Sequence, residues 1–218
     1  MGEGKLTDIA DRKVQFGDLK AELLIETSGR EAAHRRILVL RTYSKLAINL
    51  TSFFIICTSI IALVFADRLT VTGITVLGCA TIFATIYSMI VDNLENSKNY
   101  SEKSFRMEKS AAAMRCLYDE INHMEAPKND SELRRIVDEK NSIVSRYGLI
   151  DSITDSEYAQ WLNREKLDGL DIPHPDISNA DKKYRNSRFS VFWVYLIFPI
   201  ILLIGSFYFV INFAINSV

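Results

Sequence analysis

The 218-residue sequence contains few of the residues that usually build metal, redox or catalytic sites. It has three cysteines and three histidines. No CxxC pair occurs, and Cys57 and Cys79 lie in apolar segments, so neither a disulfide framework nor a zinc site is predicted. The histidines show no ligand spacing, and the phosphate-binding patterns GxxxxGK(S/T) and GxGxxG are missing. We therefore expect no catalytic residues, no metal and no cofactor, and a protein that is not an enzyme.

Two further absences narrow the class of protein. The net charge is −1 and no block of like charge occurs, so the chain has no basic field that would attract nucleic acid. The first 45 residues are polar and charged, so no cleavable signal peptide is expected.

Charged side chains are also missing from three long stretches, although they make up 24% of the chain. These stretches are Leu46–Ala66, Leu69–Val91 and Phe189–Val218. Each has about 20 residues or more, which is enough for a helix to cross about 30 Å of hydrocarbon. A helix in a soluble core would carry lysine or glutamate on its outer face. We therefore predict three transmembrane helices in a lipid bilayer.

The predicted fold class is an all-α membrane protein. A transmembrane helical hairpin continues into a long cytoplasmic helix, followed by a small helical cytoplasmic domain and a third, C-terminal transmembrane helix. The predicted segments are 1–45 (cytoplasmic, helical), 46–91 (hairpin), 92–188 (cytoplasmic domain) and 189–215 (third span). Lysines and arginines flank the first span on its N-terminal side, the second on its C-terminal side and the third on its N-terminal side. This pattern predicts a cytoplasmic N-terminus and a C-terminus outside.

Helical periodicity extends into the polar segments. Asp18–Lys45 reads either as one helix or as two helices joined near Ser28–Gly29, because glycine interrupts the pattern. Asp92 to about Met124 contains no proline or glycine, so an unbroken continuation of the second span is predicted. Two shorter helices should follow. The first is capped by Asp130 or Ser131 and closed by Gly148. The second starts at a Thr154–Glu157 capping box and stops at Gly169, and its packing surface should include Trp161 and Leu162. A connector over 169–180 then leads to the third span.

One stripe of apolar residues runs along the long helix after the second span. Its members alternate three- and four-residue steps, as in a coiled coil, and the main ones are Met107, Met114, Leu117 and Ile121. We call these four the seam residues. Two interpretations stay open: the seam packs against the upstream helix of the same chain, or against another subunit.

Small and polar residues repeat along the two spans of the hairpin. They are Asn49, Ser52 and Ser59 in the first span and Gly78, Thr81, Thr85 and Ser88 in the second. Such residues allow close packing of helices. Alternatively, they line a water-filled pore, which requires several subunits because one hairpin cannot enclose a channel. In the third span, Pro199 removes a backbone donor and should kink the helix unless a neighbour satisfies the freed carbonyl.

The layout resembles a known family. A basic helix containing Ala32–Arg36 leads into the hairpin, and the second span runs on into Asn93–Met124, along which Tyr100, Phe105 and Leu117–Glu120 are spread. This arrangement is similar to the SLATT proteins, two-span effector domains associated with SMODS nucleotidyltransferases and SLOG proteins in bacterial conflict systems. The third span departs from the minimal plan and resembles family members with an extra C-terminal segment.

The resemblance implies an oligomeric effector of anti-phage defence in the bacterial inner membrane. It would form a pore or disrupt the membrane when triggered by a partner-generated signal. The implied partners are further copies of the chain and a nucleotide second messenger or a sensor protein encoded nearby. The alternative hypothesis is a membrane-anchored scaffold or signalling adaptor that recruits a soluble partner through residues 130–168.

Overall fold

The computed structural model of the chain describes residues 3–65, 67, 69, 71–124, 126, 127, 129–149, 153–167 and 179–215. Within these residues all regular structure is helical, which confirms the predicted fold class. The helices are α1 Glu3–Val64, α2 Val71–Lys98, α3 Tyr100–Asn122, α4 Asp130–Tyr147, α5 Ile153–Leu167 and α6 Ala180–Ile215. Three helical stretches are long and apolar enough to cross a membrane, at Lys13–Val64, Val71–Asn122 and Ala180–Ser206.

The chain forms two compact units, which we describe separately. The charged unit consists of Met1–Ile37 and Ser101–Asn186. The apolar unit consists of Leu38–Tyr100 and Ser187–Val218, and contains the three uncharged stretches.

Helix α1 runs through Gly29 without a break, so the interpretation as two helices joined near Ser28–Gly29 is wrong. A glycine inside a helix costs about 1 kcal/mol relative to alanine. Here Thr27, Gly29 and Arg30 are all buried, so tertiary packing on both sides of the glycine offsets this cost.

The second span does not continue unbroken, because helix α2 ends at Lys98 and α3 begins at Tyr100. Between them Asn99 has a φ of 46°, in the left-handed region. Its N–H donates to the carbonyl of Glu95 at 3.0 Å, the hydrogen bond of a left-handed helix cap. Asparagine adopts this conformation more readily than most other residues with a side chain, so the predicted unbroken helix is interrupted at Asn99.

Helix α4 ends at Tyr147 and is closed by Gly148, which confirms the predicted stop. Gly148 has a φ of 84°, and its N–H donates to the carbonyl of Val144 at 2.8 Å. The N-terminal cap is Asn129 rather than Asp130 or Ser131, because the Asn129 side chain accepts a hydrogen bond from the Glu132 N–H at 2.9 Å.

Replacing Asn129 with alanine should lower the free energy of unfolding of the charged unit by about 1 kcal/mol, since one helix N–H loses its acceptor. Asn129→Asp keeps the acceptor oxygens and serves as the matched control, for which we expect nearly wild-type stability. Urea titration of the detergent-solubilised protein measures both variants. Equal stability of the alanine and aspartate variants would contradict the cap assignment.

Helix α5 begins at Ile153, so Thr154 lies inside the helix and the predicted capping box is wrong. Asp155, which the capping box placed at the helix start, is instead buried by long-range contacts described below. Leu162 is 48% exposed, so it does not face the packing surface. The predicted stop at Gly169 and the part of the connector over 169–178 lie outside the described residues.

In the apolar unit, α6 packs against both helices of the hairpin. The buried residues of this core are Ala47, Val91, Tyr195 and Leu196. Pro199 lies inside α6, and its missing N–H would leave the carbonyl of Tyr195 without a helical partner. The Tyr87 hydroxyl donates to this carbonyl at 2.6 Å, and the Tyr87 ring packs on Phe198 with centroids 4.6 Å apart. Thus α2 supplies the neighbouring donor that a proline in a membrane helix requires.

Candidate functional site

An open groove of about 480 Å³ lies on the surface between the two helices of the hairpin. Four of the seven predicted pore or packing residues line it, namely Ser59, Gly78, Thr81 and Thr85. The groove also contains Thr58, which sequence reasoning missed although it is next to Ser59. Asn49, Ser52 and Ser88 are not among its lining residues. The structure therefore brings most of the predicted face together, with isoleucines and other apolar side chains between the polar groups.

The floor of this groove is a contact between the two helices. The hydroxyl oxygens of Thr58 and Thr81 lie 3.2 Å apart, and Thr58 is 2% exposed. The Thr81 hydroxyl also lies 2.8 Å from the carbonyl oxygen of Leu77 in its own helix. Thr81 thus contributes to packing within the hairpin, in agreement with close association through hydroxyl-bearing residues.

The rim of the groove is exposed. Ser59 and Thr85 lie on the surface of the chain, and their hydroxyls donate to the carbonyls of Ile55 at 2.8 Å and Thr81 at 2.9 Å. Gly78 is also exposed, and a Cβ atom added to it would meet nothing within 4 Å. These three residues therefore have no packing role within the described part of the chain.

Asn49 and Ser52 are exposed outside the groove, whereas Ser88 is half-buried. An exposed asparagine in an uncharged span carries two amide donors that hydrocarbon cannot satisfy. A second polar contact, also missed from the sequence, lies on the buried side of the apolar unit: the Ser44 hydroxyl donates to a carboxylate oxygen of Glu95 at 2.5 Å. Residues 44 and 95 are 51 positions apart, so no local pattern could have paired them.

The seam residues are covered by the same chain. Met114, Leu117 and Ile121 belong to the apolar core of the charged unit, and Met107 is also buried. The remaining buried members of this core are Phe16, Leu19 and Leu23 of α1 and Ile136 of α4. In this arrangement the seam packs against the upstream helix.

A buried arginine lies beside this core. The side chain of Arg30 is 0% exposed and joins three elements. It donates to the Ser110 hydroxyl of α3, to the Gly148 carbonyl at 3.0 Å and to a Glu26 carboxylate oxygen at 3.2 Å. Its Nε has no hydrogen-bond partner among the described residues. Buried guanidinium groups of this kind are stable only while their partners remain in place.

A second buried charge holds α5 on α1. Arg36 donates to both carboxylate oxygens of Asp155 at 2.9–3.1 Å, and the Asp155 side chain is 0% exposed. Burial raises the pKa of the Asp155 carboxyl above its ordinary value, and the Arg36 guanidinium opposes that rise. Removing Arg36 would therefore leave a buried carboxyl without its counter-charge.

The charged unit also contains a groove with titratable side chains. Within the described residues no group of three or more His, Cys, Asp or Glu side chains could hold a metal ion. A groove of about 430 Å³ between α1 and α3 contains His34 and Cys116. The His34 Nδ1 lies 3.0 Å from the Ser104 carbonyl oxygen, so this ring nitrogen is engaged in a hydrogen bond between α1 and α3. What distinguishes the molecule is an uncharged hairpin with a polar groove, joined through continuous helix α1 to a charged helical unit.

A family model matches residues 15–212 of the chain, and it is described as the SMODS and SLOG-associating 2TM effector domain family 5. The chain belongs to this SLATT family. No curated protein and no solved structure matches it. The match extends beyond the segment from Ala32 to Met124 on which the resemblance rested, and it includes α6 as far as residue 212. The third apolar helix is thus part of the SLATT family 5 domain. Membership makes the chain a membrane effector associated with conflict and defence systems.

Proposed function

We propose that this SLATT protein is an oligomeric effector that permeabilises the bacterial inner membrane when a partner-generated signal reaches its charged unit. The observation that carries this proposal is the exposed polar rim of the hairpin groove, formed by Ser59, Gly78 and Thr85. A hairpin needs no exposed groove of this kind to anchor a protein. Several hairpins arranged around an axis would turn such grooves toward a common, hydrated centre.

The hydroxyl groups of the rim are compatible with both a closed, dry assembly and an open, water-filled one. The Ser59 and Thr85 hydroxyls donate to their own helices, so they cost little while they face lipid or another helix. Each oxygen keeps a free lone pair, which water can use in an open pore. A face of this chemistry tolerates both a closed, dry assembly and an open, wet one.

The proposed topology places the N-terminus and the charged unit in the cytoplasm and the C-terminus outside. The trigger would be a nucleotide second messenger or a sensor protein encoded nearby, acting on the charged unit. This topology puts the signal and the charged helices in the same compartment.

The rim assignment is tested by the double variant Ser59→Leu/Thr85→Leu. Leucine fills the rim with apolar surface, so we expect depolarisation of expressing cells to slow by at least about tenfold, while crosslinked oligomers persist. Thr81 is left unchanged because it contacts Thr58 within the hairpin. A potential-sensitive dye, followed together with growth in cells carrying the trigger system, measures the effect.

Thr75→Leu is the matched control. Thr75 is exposed on α2, its hydroxyl donates to the Val71 carbonyl at 2.9 Å, and it does not line the groove. Depolarisation in this variant should match the wild type. Unchanged depolarisation in the double variant would reject the pore face. If activity also survived exchange of all three spans for unrelated ones, the scaffold hypothesis through residues 130–168 would replace the pore.

A further inference from the structure

Helix α5 docks on α1 through an unusual buried face. On α5 the buried residues recur every fourth position, and they are Asp155, Ala159 and Asn163. The residues of α1 that lie opposite this face have the same spacing, and they are Ser28, Ala32 and Arg36. Residues four apart lie on one face of a helix, so each helix presents a single stripe to the other.

The two stripes are complementary in an antiparallel register. Arg36 pairs with Asp155 at one end, and the Asn163 amide donates to the Ser28 hydroxyl at 2.8 Å at the other. The register brings Ala32 and Ala159, both 0% exposed, to the middle of the contact. Two alanines allow close approach of the helices but bury little apolar area.

Helix α5 lies outside the apolar core of its unit. The buried residues of that core come from α1, α3 and α4, and none of the described α5 residues belongs to it. Apart from the ring contacts of Tyr158 with Trp161 and with Tyr184 of α6, the described α5 residues are joined to α1 by an ion pair and an amide hydrogen bond. Water can replace these contacts when α5 is released, whereas it cannot replace apolar packing.

The same helix holds the first turns of α6. The Tyr184 hydroxyl of α6 donates to the Ala32 carbonyl at 3.0 Å, and its ring stacks on Tyr158 of α5 with centroids 4.1 Å apart. Lys183 of α6 also pairs with Glu157 of α5 at 3.2 Å. Helix α6 continues from here into the third apolar span.

We propose that α5 is a releasable latch, which fastens the start of the third span to α1 in the resting protein and opens as a unit during activation. Opening breaks the Arg36–Asp155 and Ser28–Asn163 contacts and frees the beginning of α6. The three-helix core of α1, α3 and α4 stays folded. The role in activation rests on the proposed pore function, whereas the latch itself does not.

Hydrogen exchange of the full-length protein in detergent tests the latch directly. Arg36→Met leaves Asp155 buried without its counter-charge, so we expect the α5 amides to exchange at least about 100-fold faster. The α3 and α4 amides should stay within about twofold of the wild type. Arg35→Met is the matched control, because the Arg35 side chain is 53% exposed and its carboxylate partner Glu31 is 3.8 Å away. It should leave all helices unchanged.

Two results would overturn the latch. Unchanged exchange in α5 would show that the ion pair does not hold it. An equal rise in α3, α4 and α5 would show that α5 is an inseparable part of the core.

A crosslink tests the role in activation. Ala32→Cys/Ala159→Cys, made with the native cysteines Cys57, Cys79 and Cys116 replaced by alanine, joins the centres of the two stripes. After treatment with diamide, a membrane-permeant thiol oxidant that joins the two thiols as a disulfide, the variant should fail to depolarise cells carrying the trigger system, whereas the diamide-treated cysteine-free parent should still depolarise them. Dithiothreitol, which reduces the disulfide, should restore depolarisation to the level of that parent. Full activity of the oxidised form would overturn the proposed role. If the cysteine-free parent and the wild type both fail to depolarise, the pore function is rejected, and the exchange result alone decides whether the latch exists.

Discussion

Arg30→Met is expected to destabilise the charged unit by about 3–5 kcal/mol, the cost of breaking a buried charge network. Methionine fills part of the volume but offers no donor. Without the guanidinium, the Gly148 carbonyl, the Ser110 hydroxyl and the largely buried Glu26 carboxylate all lose a partner. The variant therefore combines an uncompensated carboxylate with two unsatisfied polar groups.

The measurement is hydrogen exchange of the α3 and α4 amides, which should speed up by about two to four orders of magnitude, because each 1.4 kcal/mol of lost free energy is a factor of about ten in the exchange rate. Arg35→Met again serves as the control, since it removes an exposed arginine from the same helix. Arg30→Lys keeps the charge but cannot bind all three partners at once, so its effect on exchange should lie between those of Arg35→Met and Arg30→Met. A rise of less than tenfold for Arg30→Met would show that the network is dispensable.

The second large effect concerns the apolar unit. Tyr87→Phe should lower its free energy of unfolding by about 1–3 kcal/mol, because the Tyr195 carbonyl that Pro199 frees loses its donor within an apolar span. The ring contact with Phe198 is kept, so only the hydrogen bond is tested. Equilibrium unfolding by SDS in mixed micelles measures the loss. Tyr208→Phe in α6, the helix that contains Pro199, is the control, because Tyr208 is 71% exposed.

A double-mutant cycle separates this mechanism from a general loss of packing. Pro199→Ala restores an N–H that can bond to the Tyr195 carbonyl within the helix. In that background Tyr87→Phe should cost less than about 0.5 kcal/mol, which, against about 1–3 kcal/mol in the wild type, gives a coupling of at least about 0.5 kcal/mol. Equal costs in both backgrounds would mean that the Tyr87 hydroxyl does not substitute for the missing N–H.

Several features of this SLATT protein could be predicted from local sequence alone. The three spans follow from uncharged stretches, because the transfer of apolar side chains into hydrocarbon adds up residue by residue. The stop of α4 at Gly148 follows from the conformational freedom of glycine. The need for a donor near Pro199 follows from the proline ring, although the sequence could not show that Tyr87 would supply it.

Other predictions were wrong, or residues were missed, where a local sequence pattern competed with contacts between residues far apart in the chain. Thr154–Glu157 matches a capping box, yet Asp155 is buried against Arg36, which is 119 positions away. The unbroken helix after the second span was predicted because proline and glycine are absent, and Asn99 ended it through a conformation that asparagine only sometimes adopts. In the groove, Thr58 was missed because its role is the hydroxyl contact with Thr81 on the other helix, which depends on how the two helices pack.

The sequence by itself determined that this is an all-helical membrane protein with a charged helical part, because helix periodicity and transfer into lipid depend only on neighbouring residues. It also determined which small and polar residues the hairpin contains. Only the tertiary structure decided which of these lie on the rim of a groove and which bond across it. It alone decided that Arg30 and Arg36 are buried and which groups they bind. These outcomes depend on pairs far apart in the chain, whose energies arise only when the helices pack and exclude water.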